Sequence, residues 1–244
     1  MPLKSNVEWK AWGRQDPYEG VLADELRAKH GPNPWNAKDF YAHGKYTWQI
    51  CVSEWKKYGV SFKSCLEIGC GPGRITKELA SYFTSVHALD ISEDMINLAQ
   101  KNFIAPNLIF HIGEGTNIPL PDASIDSVFS MHVFQHLDKL ADGYAYFNEI
   151  SRVLAEHGTI MIHIPIYIWP CGGSFRRPYK VVKYLERLKI KWKRFLIKKG
   201  GAVSLMTMNS YPIDYFFKEL PHIGFEDIKI VHLSFRRLNL SLLS

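Results

Sequence analysis

Cys65-Leu66-Glu67-Ile68-Gly69-Cys70-Gly71-Pro72-Gly73-Arg74 is the stretch whose reading settles the architecture. Cys65, Leu66 and Ile68 make a short apolar run, three glycines then alternate with Cys70 and Pro72, and Ile75, Leu79, Ala80 and Phe83 resume at helical spacing. The pattern reads as buried strand, tight loop, helix. Without a Cβ at the glycines a ligand can approach the backbone closely, and the N–H groups opening the helix favour negative or polar ligand groups.

Spacing separates the ligands that use such a loop. The dinucleotide fingerprint GxGxxG needs a third glycine for helix–strand packing; here that register holds Arg74, and the run is GxGxG preceded by an acid, ExGxGxG from Glu67. A nicotinamide-dependent oxidoreductase is disfavoured on this count. A second apolar run, Val86, Ala88 and Leu89, ends in Asp90, and a third, Leu108 to Ile112, leads into GEGTNIPLPDASID. An acid ending the strand beside the first one can accept both ribose hydroxyls of an adenosine.

LEIGCGPGR resembles the first motif of the class I S-adenosylmethionine-dependent methyltransferases, in the small-molecule branch with a type 11-like domain. The resemblance spans Ser64 to Pro165 and extends loosely to the end of the chain. It implies S-adenosyl-L-methionine as cofactor and S-adenosyl-L-homocysteine as product. It also implies an α/β Rossmann-like fold: a mostly parallel seven-stranded sheet with helices on both faces. Residues 1–58 are then an N-terminal helical cap and residues 59–244 the cofactor-binding domain, with a basic helical insertion at 166–204 after strand five. The cofactor residues it implies are Glu67, Gly69, Gly71, Gly73, Asp90, Ile91, Glu114, Gly115 and His132, the last through its backbone. Glu114 departs from the pattern, since relatives more often carry Asp. His136 matches a histidine common in this branch and is the candidate base.

At 244 residues and 46% hydrophobic, the chain suits one α/β domain with a cap. The start, MPLKSNVEWK, has no apolar leader, and Thr159 to Cys171 is too short and too interrupted to span a bilayer, so the expectation is a cytoplasmic protein. Cys51, Cys65, Cys70 and Cys171 form no CxxC pair and no zinc-type Cys/His spacing, which predicts reduced thiols and no metal. The overall charge of +6 is local: residues 176–199 hold eleven Lys or Arg and one Glu, leaving −4 for the rest. That distribution argues against a nucleic-acid-binding surface and for one specialised patch.

Residues 1–58 contain Trp9, Trp12, Trp35, Trp48 and Trp55. Asp16-Pro17 with Glu19 predicts a helix over 17–30, and a second begins after Asn36 and stops at Gly59. The tryptophans either shape an acceptor pocket or simply cover the first helix and the sheet edge. From Cys65 to Pro165 strands and helices alternate, predicting a parallel sheet: a fourth strand at Ile125 to Met131, a helix from Asp138 to Leu154, and strand five from Thr159 to Pro165. A helix over Tyr211 to Leu220 and a strand over Glu226 to Leu233 should follow, with a last strand or frayed tail after Phe235. Val181, Leu185, Leu188, Trp192, Phe195 and Leu196 define a basic amphipathic helix within 176–199, readable as a lid, a dimer contact, an anionic-membrane contact or an RNA contact.

Methyl transfer from a sulfonium needs alignment above all, and a hydroxyl acceptor adds a general base. His132, His136 and His163 sit near the predicted carboxyl edge; His136 serves as base or as a cap of the following helix. Tyr167 is a second candidate acceptor contact. The expected acceptor is a small molecule. SMHV stands where an (Asp/Asn)-Pro-Pro-aromatic motif would mark methylation of exocyclic base amines, and Cys171 reads as a structural thiol before a nucleophile.

Overall fold

The computed structural model describes residues 4–22, 32–167 and 210–231. The expected basic helix at 176–199, Cys171 and the segment after Phe235 lie outside the described residues, as does most of the 166–204 insertion.

Three helices precede the sheet: α1 (Lys4–Gln15), α2 (Pro17–Val21) and α3 (Ala37–Trp55), the last running into a 3-10 turn. Asp16 caps α2 by accepting from the Glu19 N–H, and Pro17 takes the first helical position, where its missing N–H costs nothing. Residues 23–30 of the expected 17–30 helix lie outside the described residues. Asn36 caps α3 through the Asp39 N–H, and Gly59 ends the 3-10 turn at φ 75°, a left-handed conformation suited to glycine.

The sheet follows as β1 (Ser64–Ile68), α4 (Thr76–Tyr82), β2 (Ser85–Asp90), α5 (Glu93–Asn102), β3 (Leu108–Ile112), β4 (Ile125–Ser130), α6 (Leu140–Val153) and β5 (Leu154–Ile162). All pairs are parallel, in the order β3-β2-β1-β4-β5. The order reverses beside β1, leaving a crevice between the carboxyl ends of β1 and β4. One face packs Trp48, Cys51 and Trp55 of α3 and Leu79 of α4 on Cys65, Val86 and Phe129. The other packs Phe147 and Ile150 of α6 on Leu66, Leu89 and Val128, together with Tyr211 and Phe216. Trp48 and Trp55 are therefore core residues, and the Trp55 indole N–H donates to Thr159 Oγ1 at 3.0 Å, tying the cap to β5.

Several expected boundaries move. The α6 helix opens at Leu140, two residues past Asp138, because the Asp142 carboxylate accepts from the Lys139 N–H at 2.9 Å and fixes the first turn there. Strand five begins at Leu154, which pairs Ile125; residues 155–158 bulge out, with His157 at φ 62°, before Thr159 pairs Ser127. The helix expected at Tyr211 to Leu220 is α7 (Ile213–Lys218) followed by a 3-10 turn at Leu220–Ile223. Of seven expected strands the main sheet has five among the described residues. Ile166–Tyr167 (β6) and Tyr211–Pro212 (β7) make a separate parallel pair. Residues 226–231 form no strand: Asp227 sits at φ 48°, which breaks an extended run, and Ile230 and Val231 are exposed.

Candidate active site

The glycine loop turns out of β1 with Gly69, Gly71 and Gly73 at φ 75°, 53° and 83°. Close contacts demand glycine here. A Cβ at Gly69 would overlap the Val133 side chain, and one at Gly73 would lie 2.5 Å from the Phe103 ring. The loop is pinned to β2: the Gly69 and Cys70 N–H groups both donate to the Leu89 carbonyl, at 2.7 and 3.0 Å. Asp90 completes the junction. Its Oδ2 accepts from the Gly71 N–H and its Oδ1 from the Ser92 N–H, both at 2.8 Å, while its own carbonyl accepts from the Gly113 N–H at 2.8 Å. Burial raises the Asp90 pKa, opposed by the N–H groups of Ser92, Gly71 and Ile91.

Glu67, Gly69, Gly71, Gly73, Asp90, Ile91 and the Gly113–Gly115 turn thus meet along one edge. Gly113 is buried and Glu114 exposed, and an added Cβ at Gly115 meets nothing within 4 Å. The Gly115 carbonyl accepts from the Tyr146 hydroxyl at 2.8 Å, which holds the turn in place. Glu67 is 3% exposed with Oε2 lacking a hydrogen-bond partner. Burial pushes its carboxyl up to about 7, with Thr76 and Arg74 acting against the rise and Asp90 adding to it.

The histidines line the β4 and β5 side. His132 follows β4 in the left-handed region at φ 61°, and its ring meets that of His163 edge-on at 4.5 Å. Burial pushes His132 down to about 3, helped by His163, Arg74, His136 and His43, so the ring is neutral. His163 Nδ1 is buried without a partner, and burial lowers its pKa too. His136 belongs to a 3-10 turn, is 9% exposed, has Gln135 Nε2 3.0 Å from its Nε2, and meets the Trp9 ring edge-on at 5.1 Å. The Tyr211 hydroxyl donates to the Phe134 carbonyl at 3.0 Å and supports that turn from below.

The cap closes over these residues. Tyr41 donates to the Pro72 carbonyl at 2.7 Å, Val21 lies over Gly71, and Gly13 of α1 sits against Ser92 Oγ. Arg74 joins cap to loop and was not singled out by sequence reasoning beyond its break of the dinucleotide register. It is 4% exposed, its Nη1 donates to Thr47 Oγ1 at 3.2 Å and lies 3.3 Å from His43 Nδ1, and its Nε has no partner. Burial pushes the guanidinium down to about 10, with Glu67 opposing, and pushes His43 down to about 4, with Arg74 adding to the shift. No local pattern announces a contact made 27 residues away.

An adenosine-bearing sulfonium cofactor with an amino acid tail fits this donor set. Glu67 Oε2 is an unpartnered buried acceptor for a cation, Arg74 Nε is an unpartnered buried donor, and the Asp90 carboxylate has acceptor capacity beyond the backbone N–H groups that hold it. The glycine loop leaves the backbone approachable.

Residues 66–162 match the profile of the family described as Methyltransferase domain. The chain is 30% identical over 179 residues to the ajmaline N-methyltransferase of Rauvolfia serpentina, covering 70% of this chain and 55% of that protein. It is 36% identical over 97 residues to the malonyl-[acyl-carrier protein] O-methyltransferase of Bacillus cereus, covering 39% and 33%. Among solved structures, the Haemonchus contortus phosphoethanolamine N-methyltransferase 1 bound to phosphoethanolamine and S-adenosylhomocysteine superposes with a TM-score of 0.53. The identity is 20%, over 71% of this chain and 34% of that one, a likeness of fold. The chain spans between about a third and about half of the length of these curated relatives. By its matching profile, its strand order and its glycine loop, the segment 66–162 is a methyltransferase domain of the class I S-adenosylmethionine-dependent kind.

Proposed function

We propose that the chain transfers a methyl group from S-adenosylmethionine to a hydroxyl of a small molecule. The observation carrying this reading is the junction at the carboxyl edge, where the Gly71 N–H meets the Asp90 carboxylate beside Glu67, whose Oε2 has no partner. The cofactor supplies a methyl group already activated on sulfur, so the chain contributes binding and alignment. Asp90 accepts from the ribose hydroxyls, Glu114 and Gly115 flank the adenine, and Ile91 lies against it. Gly69, Gly71 and Gly73 keep the backbone approachable. Glu67 and Arg74 suit the amino and carboxylate groups of the tail, and His132 borders the methyl-bearing side through its backbone.

Residues 1–58 act as a cap on the domain formed by 59–244, in keeping with the contacts of Tyr41, Val21 and Gly13. The acceptor then lies between the cap and the histidines of the β4 and β5 side. A neutral imidazole suits deprotonation of a hydroxyl as attack proceeds. His136 is the base on this reading, a nearly buried ring packed against Trp9 with the Gln135 amide nitrogen 3.0 Å from its Nε2. Transfer of labelled methyl to a panel of hydroxylated small molecules tests the reading. His136→Gln should lower turnover at least tenfold with S-adenosylhomocysteine affinity held. Unchanged turnover would remove the base, and transfer only to amines would remove the hydroxyl.

A further inference from the structure

A second pair of nitrogen ligands lies on β2 and β3. His87 of β2 and His111 of β3 project from the same face of the sheet, because the parallel register sets His87 opposite Ile109 and Leu89 opposite His111, making the histidines diagonal neighbours. His87 Nδ1 stands 2.9 Å from His111 Nε2, and the rings lie nearly parallel, 21° apart with centroids 5.2 Å from each other. Both side chains are only partly buried, and Ile109 beside them is 50% exposed, so the pair opens to solvent.

We propose that His87 and His111 form a two-histidine site for a borderline divalent transition-metal ion such as Zn²⁺, Ni²⁺ or Cu²⁺. Imidazole nitrogens bind such ions at roughly 2.0–2.1 Å, so two ligands subtending roughly 90–110° at the ion stand roughly 2.9–3.4 Å apart. The observed 2.9 Å falls at the square-planar end of that span. Without the ion the two facing nitrogens share one hydrogen, donated by one ring and accepted by the other. On binding, that hydrogen moves to the far nitrogen of the donor ring, both lone pairs turn to the ion, and no net proton is released. No third His, Cys, Asp or Glu joins them among the described residues, so water fills the remaining positions. Oxygen-seeking Mg²⁺ and Ca²⁺ are excluded by the all-nitrogen donor set.

The position gives the ion a structural consequence. β3 is the edge of the sheet and leads into Glu114, while β2 ends in Asp90. An ion bridging the two strands clamps the side of the sheet that carries both acids, stabilising the folded chain by mass action. Linear spacing could not show this site, since the two residues meet only through strand register; the expectation of no metal rested on spacing along the chain.

The test is calorimetric titration of the tag-free, cofactor-free full chain with ZnCl₂ and NiCl₂, with MgCl₂ as control, on the parent, His87→Gln, His111→Gln and His157→Gln. His157 is exposed and serves as reference. The proposal predicts micromolar binding of one ion to the parent and His157→Gln, weakened at least tenfold in either of the other two. On the parent alone, Zn²⁺ should protect His87 and His111, and not His157, from acylation by diethylpyrocarbonate as read by mass spectrometry. That readout stands even where a variant fails to fold. Absence of binding, binding undiminished in both variants, or no selective protection would overturn the proposal.

Discussion

The Gly71 N–H and the Ser92 N–H reach opposite oxygens of the same Asp90 carboxylate, each at 2.8 Å. One side chain therefore ties the glycine loop to the turn that opens α5, where Ser92 in turn caps the helix through the Met95 N–H. The acid expected to serve a ligand is also a structural fastener. Its replacement changes loop order as well as ligand affinity.

Gly69→Ala should destabilise the chain by about 1–3 kcal/mol, because the new methyl overlaps Val133 and the backbone stays at positive φ. Adding Val133→Ala relieves the overlap and leaves the backbone strain. Chemical denaturation should show the double variant recovering part of the loss; no recovery would mean that Val133 is not the obstacle.

Tyr146→Phe and Tyr211→Phe each delete one hydroxyl donating to a backbone carbonyl, a loss of about 1 kcal/mol. The consequences should separate. Tyr146 holds the Gly115 turn, so Tyr146→Phe should weaken S-adenosylhomocysteine binding several-fold. Tyr211 holds the Phe134–His136 turn, so Tyr211→Phe should lower turnover with cofactor affinity kept. Equal effects of both variants on cofactor affinity would contradict the division between the two turns.

The position of His132 makes a prediction about acid. Its folded pKa lies near 3, below the unfolded value near 6.5, so the unfolded chain binds the extra proton and stability falls as pH drops through that window. Glu67 works in the other direction: raised to about 7, it is most favourable below its unfolded value and loses stability as pH rises toward 7. Comparing the parent with His132→Asn, which tolerates the left-handed backbone, cancels the Glu67 contribution. Between pH 6 and 4 the parent should lose stability faster by up to about 1.4 kcal/mol per pH unit. Parallel curves would place a charged imidazole at 132.

The glycine loop, the acid ending β2 and the helix starts at Asp16 and Asn36 were legible in the sequence because each rests on neighbours within a few residues. The parallel sheet followed from alternation of strand and helix. Other features depend on distant chain. Arg74 reaches Thr47, Tyr146 reaches Gly115, and the His87–His111 pair exists only through register. The bulge at 155–158 displaced the start of strand five, since Leu154 pairs Ile125 before the glycine turn and not after it. Glu226 to Val231 has strand-like composition, yet the left-handed Asp227 overrides it.

Trp9 tests the cap. Its ring packs edge-on against His136 across the mouth of the site, so Trp9→Ala should raise the acceptor KM at least several-fold and leave the melting temperature within a few degrees, since α1 packs mainly on α5. A large loss of stability with an unchanged KM would make Trp9 a core residue alone.

The most direct measurement is calorimetric titration with S-adenosylhomocysteine on the parent and on Asp90→Asn, with NAD as control. The parent should bind S-adenosylhomocysteine at micromolar concentration or tighter and ignore NAD. Asp90→Asn should bind roughly ten- to hundredfold more weakly, as expected for loss of a charge-assisted hydrogen bond of roughly 1.5–3 kcal/mol. Equal affinity in parent and variant, or no binding by the parent, would contradict the assignment of this edge to the cofactor.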